Sequence, residues 1–413
     1  MSNPTCTVLF AGGGGVEAGF RAAGIDCPQR VEFDEQIAAV NERNFGPGVI
    51  CAPAQSVDLS RLSPTDGLHA SPPCQGASVA RSKKLAARDD DGVGICLLDY
   101  VDALRPRWVT LENVPPYASR PVFAAILHGL MTRGYDAQWG VVNSAGYGVP
   151  QMRKRLILRA VRKGERLAPL TPTHAKEPEP AGLFGSGLLP WNGWYGAIED
   201  LIPTLPESAF APWQLARLPA GLFETAFVEG TPVGPRPPTC LPPVAPAVTI
   251  NGGGGGRVHR AFLVSDQAGS EGRVAGVRNA GDPASTVRAL CSGGNVPKAF
   301  LCRVQGEVGD LALLIDSQNK GSLDRERGVT APHGHSPAFT VSASANKGMS
   351  RAWLEQGRVV AMTAHCLFRF MGFDDSYIRP ESRSLASKVA GNAVCPPLAT
   401  AIARTLPGME ATR

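Results

Sequence analysis

The stretch that most constrains the fold lies at residues 5–23: TCTVLF, then AGGGG, then VEAGFRAA. A short apolar run, a glycine turn and a helical pattern form the first unit of a doubly wound α/β sheet. Glycines in that turn let the backbone approach a ligand at a helix N-terminus. The next apolar run ends in Val31-Glu32-Phe33-Asp34. Glu32 follows Gly12 at the interval, about twenty residues, usual for an acid that binds ribose hydroxyls. A third unit ends at Ser56-Val57-Asp58, and Gly67-Leu68-His69-Ala70 then leads into SPPCQG. Glu32, Asp58 and Cys74 are each expected at the carboxyl end of a strand, where open α/β sheets bind ligands. No G-x-x-x-x-G-K-[ST] loop occurs, which favours a nucleoside without triphosphate chemistry.

The pattern continues with a strand at Arg107–Leu111 delivering Glu112-Asn113-Val114-Pro115-Pro116. A helix (VFAAILHGLMTRG) and a strand (YDAQWGVVN) follow, and Gln151-Met152-Arg153-Lys154-Arg155 runs into the strand LILRAV. This is read as one domain over 1–165. From 166 to 357 the chain turns rich in Pro and Gly, which predicts short strands and turns in a separate, inserted domain. A degenerate repeat lies within it: P-A-x-T-[IV], a turn, then [RK]-A-[FW]-L. Its copies start at Pro246, Pro283 and Pro337, and their second halves at Arg260, Lys298 and Arg351. Each copy is read as a β-hairpin whose tip is able to meet a nucleic-acid groove, with Arg257, Arg260, Lys298 and Lys347 near phosphates. Residues 358–413 return to helical texture and are read as rejoining the first domain. Within them GNAVCPP is read as a loop between helices.

Bulk properties narrow the class. The chain has 413 residues, 43% of them hydrophobic, which suffices for a sizeable core. No apolar run of about 18 residues suggests a membrane span, and no secretory signal is read at the N-terminus, so a cytoplasmic location is expected. Of the ten cysteines, none form a C-x-x-C pair or a Cys/His cluster with zinc spacing, so no metal is expected and most thiols should be free and buried. The formal net charge of +5 permits a polyanionic partner without requiring one. Cys74 stands out by context: Pro72 and Pro73 stiffen the backbone before it, and Gln75-Gly76 opens a loop, expected over about 76–94, that carries Arg81-Ser82-Lys83-Lys84.

Five blocks occur in order: Phe10-Ala11-Gly12-x-Gly14-Gly15, Pro73-Cys74-Gln75, Glu112-Asn113-Val114, Gln151-x-Arg153-x-Arg155 and Gly391-Asn392-Ala393-Val394. Together they resemble the cytosine-5 DNA methyltransferases, which use S-adenosylmethionine. The resemblance implies a Rossmann-like doubly wound methyltransferase sheet, with the inserted β- and loop-rich region as target-recognition domain. It implies Cys74 as nucleophile, Glu112 as acid or hydrogen-bond donor at the cytosine ring, and Arg155 at O2. Arg153 is grouped with them and read as bracing a loop or a phosphate. It implies that Phe10, Ala11, Gly12, Gly14, Gly15, Glu32, Phe33, Asp58, Asn392 and Val394 surround S-adenosylmethionine. Double-stranded DNA is the implied partner, with a cognate restriction endonuclease if the chain serves a restriction–modification system; a monomer is the default expectation.

The chemistry of the residues agrees with this resemblance. Carbon 5 of cytosine is too weak a nucleophile to take a methyl group from a sulfonium, and a thiolate added at C6 turns the ring into an enamine whose C5 is nucleophilic. The target base has to leave the duplex to be reached. Two departures from the family pattern stand out. Val8 occupies a position where the family usually has Asp. In the block ending at Gly372-Phe373, Cys366 stands where the family has Glu and Met371 where it has Gln. Two other functions compete: a tRNA cytosine-5 methyltransferase, and a catalytically silent DNA-binding protein on the same scaffold. Intact Cys74, Glu112 and Arg155 argue against the silent binder.

Overall fold

The computed structural model describes residues 2–73, 90–178, 187–194, 196–207 and 363–409, together with eight short strand segments between 227 and 361. Cys74, Arg81–Lys84 and the first arms of the three repeats lie outside the described residues.

Two compact units are found. The first comprises 1–149, 153–189 and 371–413, and the second 150–152 and 190–370. The chain therefore leaves the first unit after 189 and returns to it at 371.

The first unit is built on a seven-stranded sheet: β1 (Thr5–Leu9), β2 (Asp26–Glu32), β3 (Val49–Cys51), β4 (Gly67–Ala70), β5 (Trp108–Asn113), β6 (Tyr135–Asn143) and β7 (Lys154–Arg162), in the order β3-β2-β1-β4-β5-β7-β6. β1 to β5 run parallel, and β7 is antiparallel to both of its neighbours. The strand order reverses between β1 and β4, so their carboxyl ends open a crevice at the switch point. Five described helices lie between β1 and β6: α1 (Gly15–Ala22), α2 (Glu35–Phe45), α3 (Asp90–Ile95), α4 (Leu97–Leu104) and α5 (Pro121–Thr132). The end of the expected 76–94 loop is thus helical from Asp90.

Side-chain alternation along the strands supplies a core on each face. Leu9, Val109, Leu111, Leu156 and Leu158 pack with α4 and α5 on one face. Cys6, Val8, Trp108 and Val161 pack on the other with Val16 and Phe20 of α1 and with Val394, Ala399 and Ala403. Val8 is fully buried in that second cluster, which explains why an apolar side chain serves at this position.

The C-terminal segment lies directly on α1. A Cβ added at Gly15 would fall 2.2 Å from the Val394 carbonyl oxygen, and one at Gly19 would fall 2.4 Å from that of Pro396. Thr400 Oγ1 donates to the Gly19 carbonyl at 2.9 Å. Gly19→Ala should therefore destabilise the protein by about 1–3 kcal/mol through overpacking against backbone, as read from the urea unfolding midpoint.

Three expectations change. The third strand ends at Cys51, and Asp58 instead caps a short 3-10 turn at Leu59–Arg61, its carboxylate taking the Ser60 N–H at 3.1 Å. GNAVCPP is mostly not a loop: Gly391 and Asn392 complete a helix from Arg383, Pro396 starts the helix to Ala403, and only 393–395 are extended. Proline is favoured at a first helical position because its missing N–H has no partner there anyway. The texture read as helical from 358 begins instead with the strand Arg358–Ala361, and the helix Ala364–Met371, in which Cys366 is fully buried, follows it. There a thiol fills a core position that a carboxylate would occupy only at a desolvation cost.

In the second unit, the described strands include a six-stranded antiparallel sheet. The second arms of the repeats, Lys298–Leu301, Leu263–Val264 and Arg351–Leu354, are adjacent strands in it, with Leu263 opposite both Ala299 and Ala352. The three copies thus pair with one another through these arms.

Candidate active site

Glu112 and Arg155 meet because of register. Glu112 sits opposite Ile157 across the β5–β7 pair, and Arg155 is two residues along β7 on the same face. Such diagonal neighbours lie within reach of long side chains. Arg155 Nε is 2.7 Å from Glu112 Oε1, and both side chains are less than a tenth exposed. The contact is a close, buried ion pair. Arg155 Nη1 donates to the Lys154 carbonyl at 2.7 Å, which holds the guanidinium in place.

The neighbouring Asn113 Nδ2 donates to the Pro72 carbonyl at 3.1 Å, so the strand that carries Glu112 also anchors the residues leading to Cys74. His69 adds a second tie: its two ring nitrogens lie 2.8 Å from Thr110 Oγ1 and 2.8 Å from Ser71 Oγ. Burial pushes the His69 pKa down to about 3, so the ring is neutral and each nitrogen can meet a hydroxyl.

Arg153 is placed differently from Arg155. It is buried, and its Nη2 donates to the carbonyls of Gly391 at 3.3 Å and Ala393 at 3.0 Å. These two contacts are to backbone groups of the C-terminal segment, which is a bracing position. Cys395, in that same segment, is fully buried, and burial pushes its thiol up.

The glycine turn forms a second cluster. Phe10 and Gly12 both adopt φ of 57° and Gly14 adopts 95°. A left-handed Phe is uncommon and is held only where its surroundings over-determine it. Glu32 is buried at the end of β2, where its Oε2 accepts from Gly12 N at 2.9 Å and its Oε1 from Asp34 N at 3.0 Å. Burial raises its pKa, against the pull of those N–H groups. Phe33 beside it is 67% exposed. Val394 is buried against α1, Asn392 is exposed, and Asp58 is exposed on its 3-10 turn.

Sequence reasoning missed several residues that fix this cluster. Tyr377 Oη donates to the Gly13 carbonyl at 2.5 Å, and Lys388 Nζ pairs with Asp34 Oδ2 at 2.6 Å. Both come from the C-terminal segment, and no spacing in the sequence relates them to the glycine turn. Glu17 and Asn41 were also missed, although a carboxylate on the apolar face of α1 was a readable signal. Glu17 is buried, one oxygen accepting from Asn41 at 2.9 Å and the other unpartnered, and burial raises its pKa to about 7.

That shift has a stability consequence. The folded chain holds a proton on Glu17 that the unfolded chain releases above the model-peptide value near 4.5, so stability falls as pH rises from about 4.5 to 7. The full effect is about 3 kcal/mol. Glu17→Gln should remove this component. Measured by urea unfolding, the variant should gain on the parent at pH 8 relative to pH 5.

The sequence profile of the C-5 cytosine-specific DNA methylase family matches residues 5–206 and 309–407. The chain belongs to this family. Among its relatives, the type II methyltransferase M.NaeI of Lentzea aerocolonigenes is 32% identical over 218 residues, 48% of this chain and 51% of that protein. M.XorII of Xanthomonas oryzae is 33% identical over 249 residues, 56% and 54% of the two chains. M.AquIA of Picosynechococcus is 30% identical over 229 residues, 49% of this chain and 91% of that protein. The chain thus matches about half the length of the first two relatives. No described helix of this family member is long and apolar enough to cross a membrane, and no described group of three or more His, Cys, Asp or Glu is placed to hold a metal ion.

Proposed function

We propose that this chain is a DNA cytosine-5 methyltransferase that uses S-adenosylmethionine and reads DNA through its second unit. The observation that carries the reading is the buried Glu112–Arg155 pair, 2.7 Å apart, whose Glu112 lies on the strand where Asn113 anchors Pro72. A carboxyl and a guanidinium beside an approaching cysteine are what addition to cytosine requires. The Cys74 thiolate forms a bond to C6, and the C5–C6 π electrons move into the ring. Glu112 supplies a hydrogen bond or proton at N3, and Arg155 faces the charge that develops at O2. After C5 is methylated, loss of its proton and departure of Cys74 as thiolate restore the aromatic ring.

The glycine turn fits the cofactor. Among the described residues, no atom beyond Gly12 and its two chain neighbours lies within 4 Å of the place where a Cβ would stand on Gly12, so the turn has open space above it. The exposed Phe33 ring offers a stacking surface for adenine, and the Glu32 carboxylate is near enough to Gly12 to receive ribose hydroxyls. Phe10, Ala11, Gly14, Gly15, Asp58, Asn392 and Val394 complete the proposed pocket. Bound S-adenosylmethionine supplies the electrophilic methyl group.

The test is transfer of tritiated methyl groups from S-adenosylmethionine to unmethylated duplex DNA, with a tRNA pool in parallel. Label on C5 of DNA cytosine is the expected result. Label on tRNA alone would move the substrate to RNA. Absence of transfer to either, with DNA binding intact, would make the chain a silent binder.

A further inference from the structure

Beneath the glycine turn, a buried polar node joins three elements. Asn41 of α2 is fully buried. Its Nδ2 donates both to the Gly12 carbonyl at 3.0 Å and to Glu17 Oε1 at 2.9 Å. Its Oδ1 accepts from Arg30 Nε at 2.9 Å. Arg30 is itself pinned, donating Nη1 to the Cys27 carbonyl at 2.7 Å and Nη2 to the carbonyls of Gly46 and Pro47. The amide of Asn41 therefore cannot turn without breaking a bond to a charged partner. Gly12 is held from both ends: Glu32 takes its N–H, and Asn41 meets its carbonyl.

We propose that Asn41 is a positioning residue for the cofactor turn, fixing the Gly12 peptide plane so that the turn presents one surface to S-adenosylmethionine. The argument is one of preorganisation. Gly12 sits at φ of 57°, and as a glycine it has broad freedom to leave that conformation. A peptide that must be ordered on binding lowers affinity, and one fixed beforehand does not. Glu32 alone fixes the N–H side, which belongs to the peptide before Gly12. Asn41 fixes the peptide after it. Glu17 and Arg30 serve by orienting the Asn41 amide, one at its nitrogen and the other at its oxygen.

The inference rests on the cofactor reading above, and the test separates the two. Calorimetry gives the Kd of S-adenosylmethionine, and urea unfolding gives stability, for the parent, Asn41→Asp and Asn41→Asp with Glu17→Gln. In Asn41→Asp an acceptor replaces the donor, so the Gly12 carbonyl and Glu17 both face an oxygen, and both stability and affinity should fall. Adding Glu17→Gln gives the introduced carboxylate a donor again but leaves the Gly12 carbonyl facing an acceptor. Stability should then recover while Kd stays at least tenfold weaker, with KM for the cofactor rising more than kcat falls. Recovery of Kd together with stability would overturn the proposal, as would an unchanged Kd in Asn41→Asp. If the charged variants do not fold, Asn41→Ser is compared with Ile126→Ala, a core variant in α5 on the opposite face. A weaker Kd in Asn41→Ser alone supports the role, and equal effects in both reject it. A parent chain that binds no S-adenosylmethionine rejects the cofactor reading itself.

Discussion

Cys74→Ser is expected to lose methyl transfer by at least about four orders of magnitude, the scale seen when a nucleophile is removed from a cooperating catalytic set. The reason is electronic. A thiol is a few per cent ionised near neutrality and a strong nucleophile when ionised, whereas a hydroxyl needs a dedicated base to reach either condition. Glu112 and Arg155 face the ring in the proposed mechanism and supply no such base. Binding of S-adenosylmethionine should be unchanged, since in the proposed mechanism Cys74 bonds to the base and not to the cofactor. Tritium transfer to duplex DNA checks the first statement and calorimetry the second. A covalent complex with DNA carrying 5-fluorocytosine should form with the parent and not with the variant. Residual transfer above about one per cent of the parent rate would be incompatible with a C6 adduct through this thiol.

The second large effect concerns the Glu112–Arg155 pair. Arg155→Met leaves a carboxylate in a place with less than a tenth of its side chain exposed. Removing one member of a buried pair costs about 3–5 kcal/mol, because the remaining charge is desolvated without compensation. The double variant, Arg155→Met with Glu112→Gln, should regain most of that stability while remaining inactive. Glu112→Gln alone should lower kcat by about 10²–10⁴-fold, the range for a lost acid–base group. Denaturant unfolding and tritium transfer, run on all three, separate the structural cost from the chemical one. Equal stability of the single and double Arg155 variants would mean that water reaches the carboxylate when the arginine is gone.

The sequence made much of the sheet legible because several of its strands are apolar runs followed by a turn with chemical residues. β1, β5, β6 and β7 lie close to where the apolar pattern put them. The Glu112–Arg155 contact was not legible, since it depends on antiparallel register between β5 and β7. Nor was Asp58, where the polar segment 54–61 folds into 3-10 turns stabilised by a local Asp–Ser contact. Such side-chain bonds compete with strand formation. The role of Arg153 was half legible: its block marked it as important, but only packing shows that it holds the carbonyls of 391 and 393. Tyr377, Lys388 and Asn41 act through contacts distant in sequence and carry no local mark. The repeats were readable by self-similarity, yet the pairing of their second arms with one another comes from the sheet.

The placement of the last helix on α1 has a consequence in time. Gly19 and Thr400 are in contact across 381 positions of chain. At about 5–20 residues per second, a ribosome needs roughly 20–80 s to travel that distance. Throughout that interval the flank of α1 that ends up under 394–400 stands uncovered, with Val16 and Phe20 lacking part of their final packing. Arg153 likewise waits for the carbonyls it will hold. The nascent protein thus passes through a long phase with the glycine turn and α1 only partly packed, and a chain cut short in its final turns would leave them so.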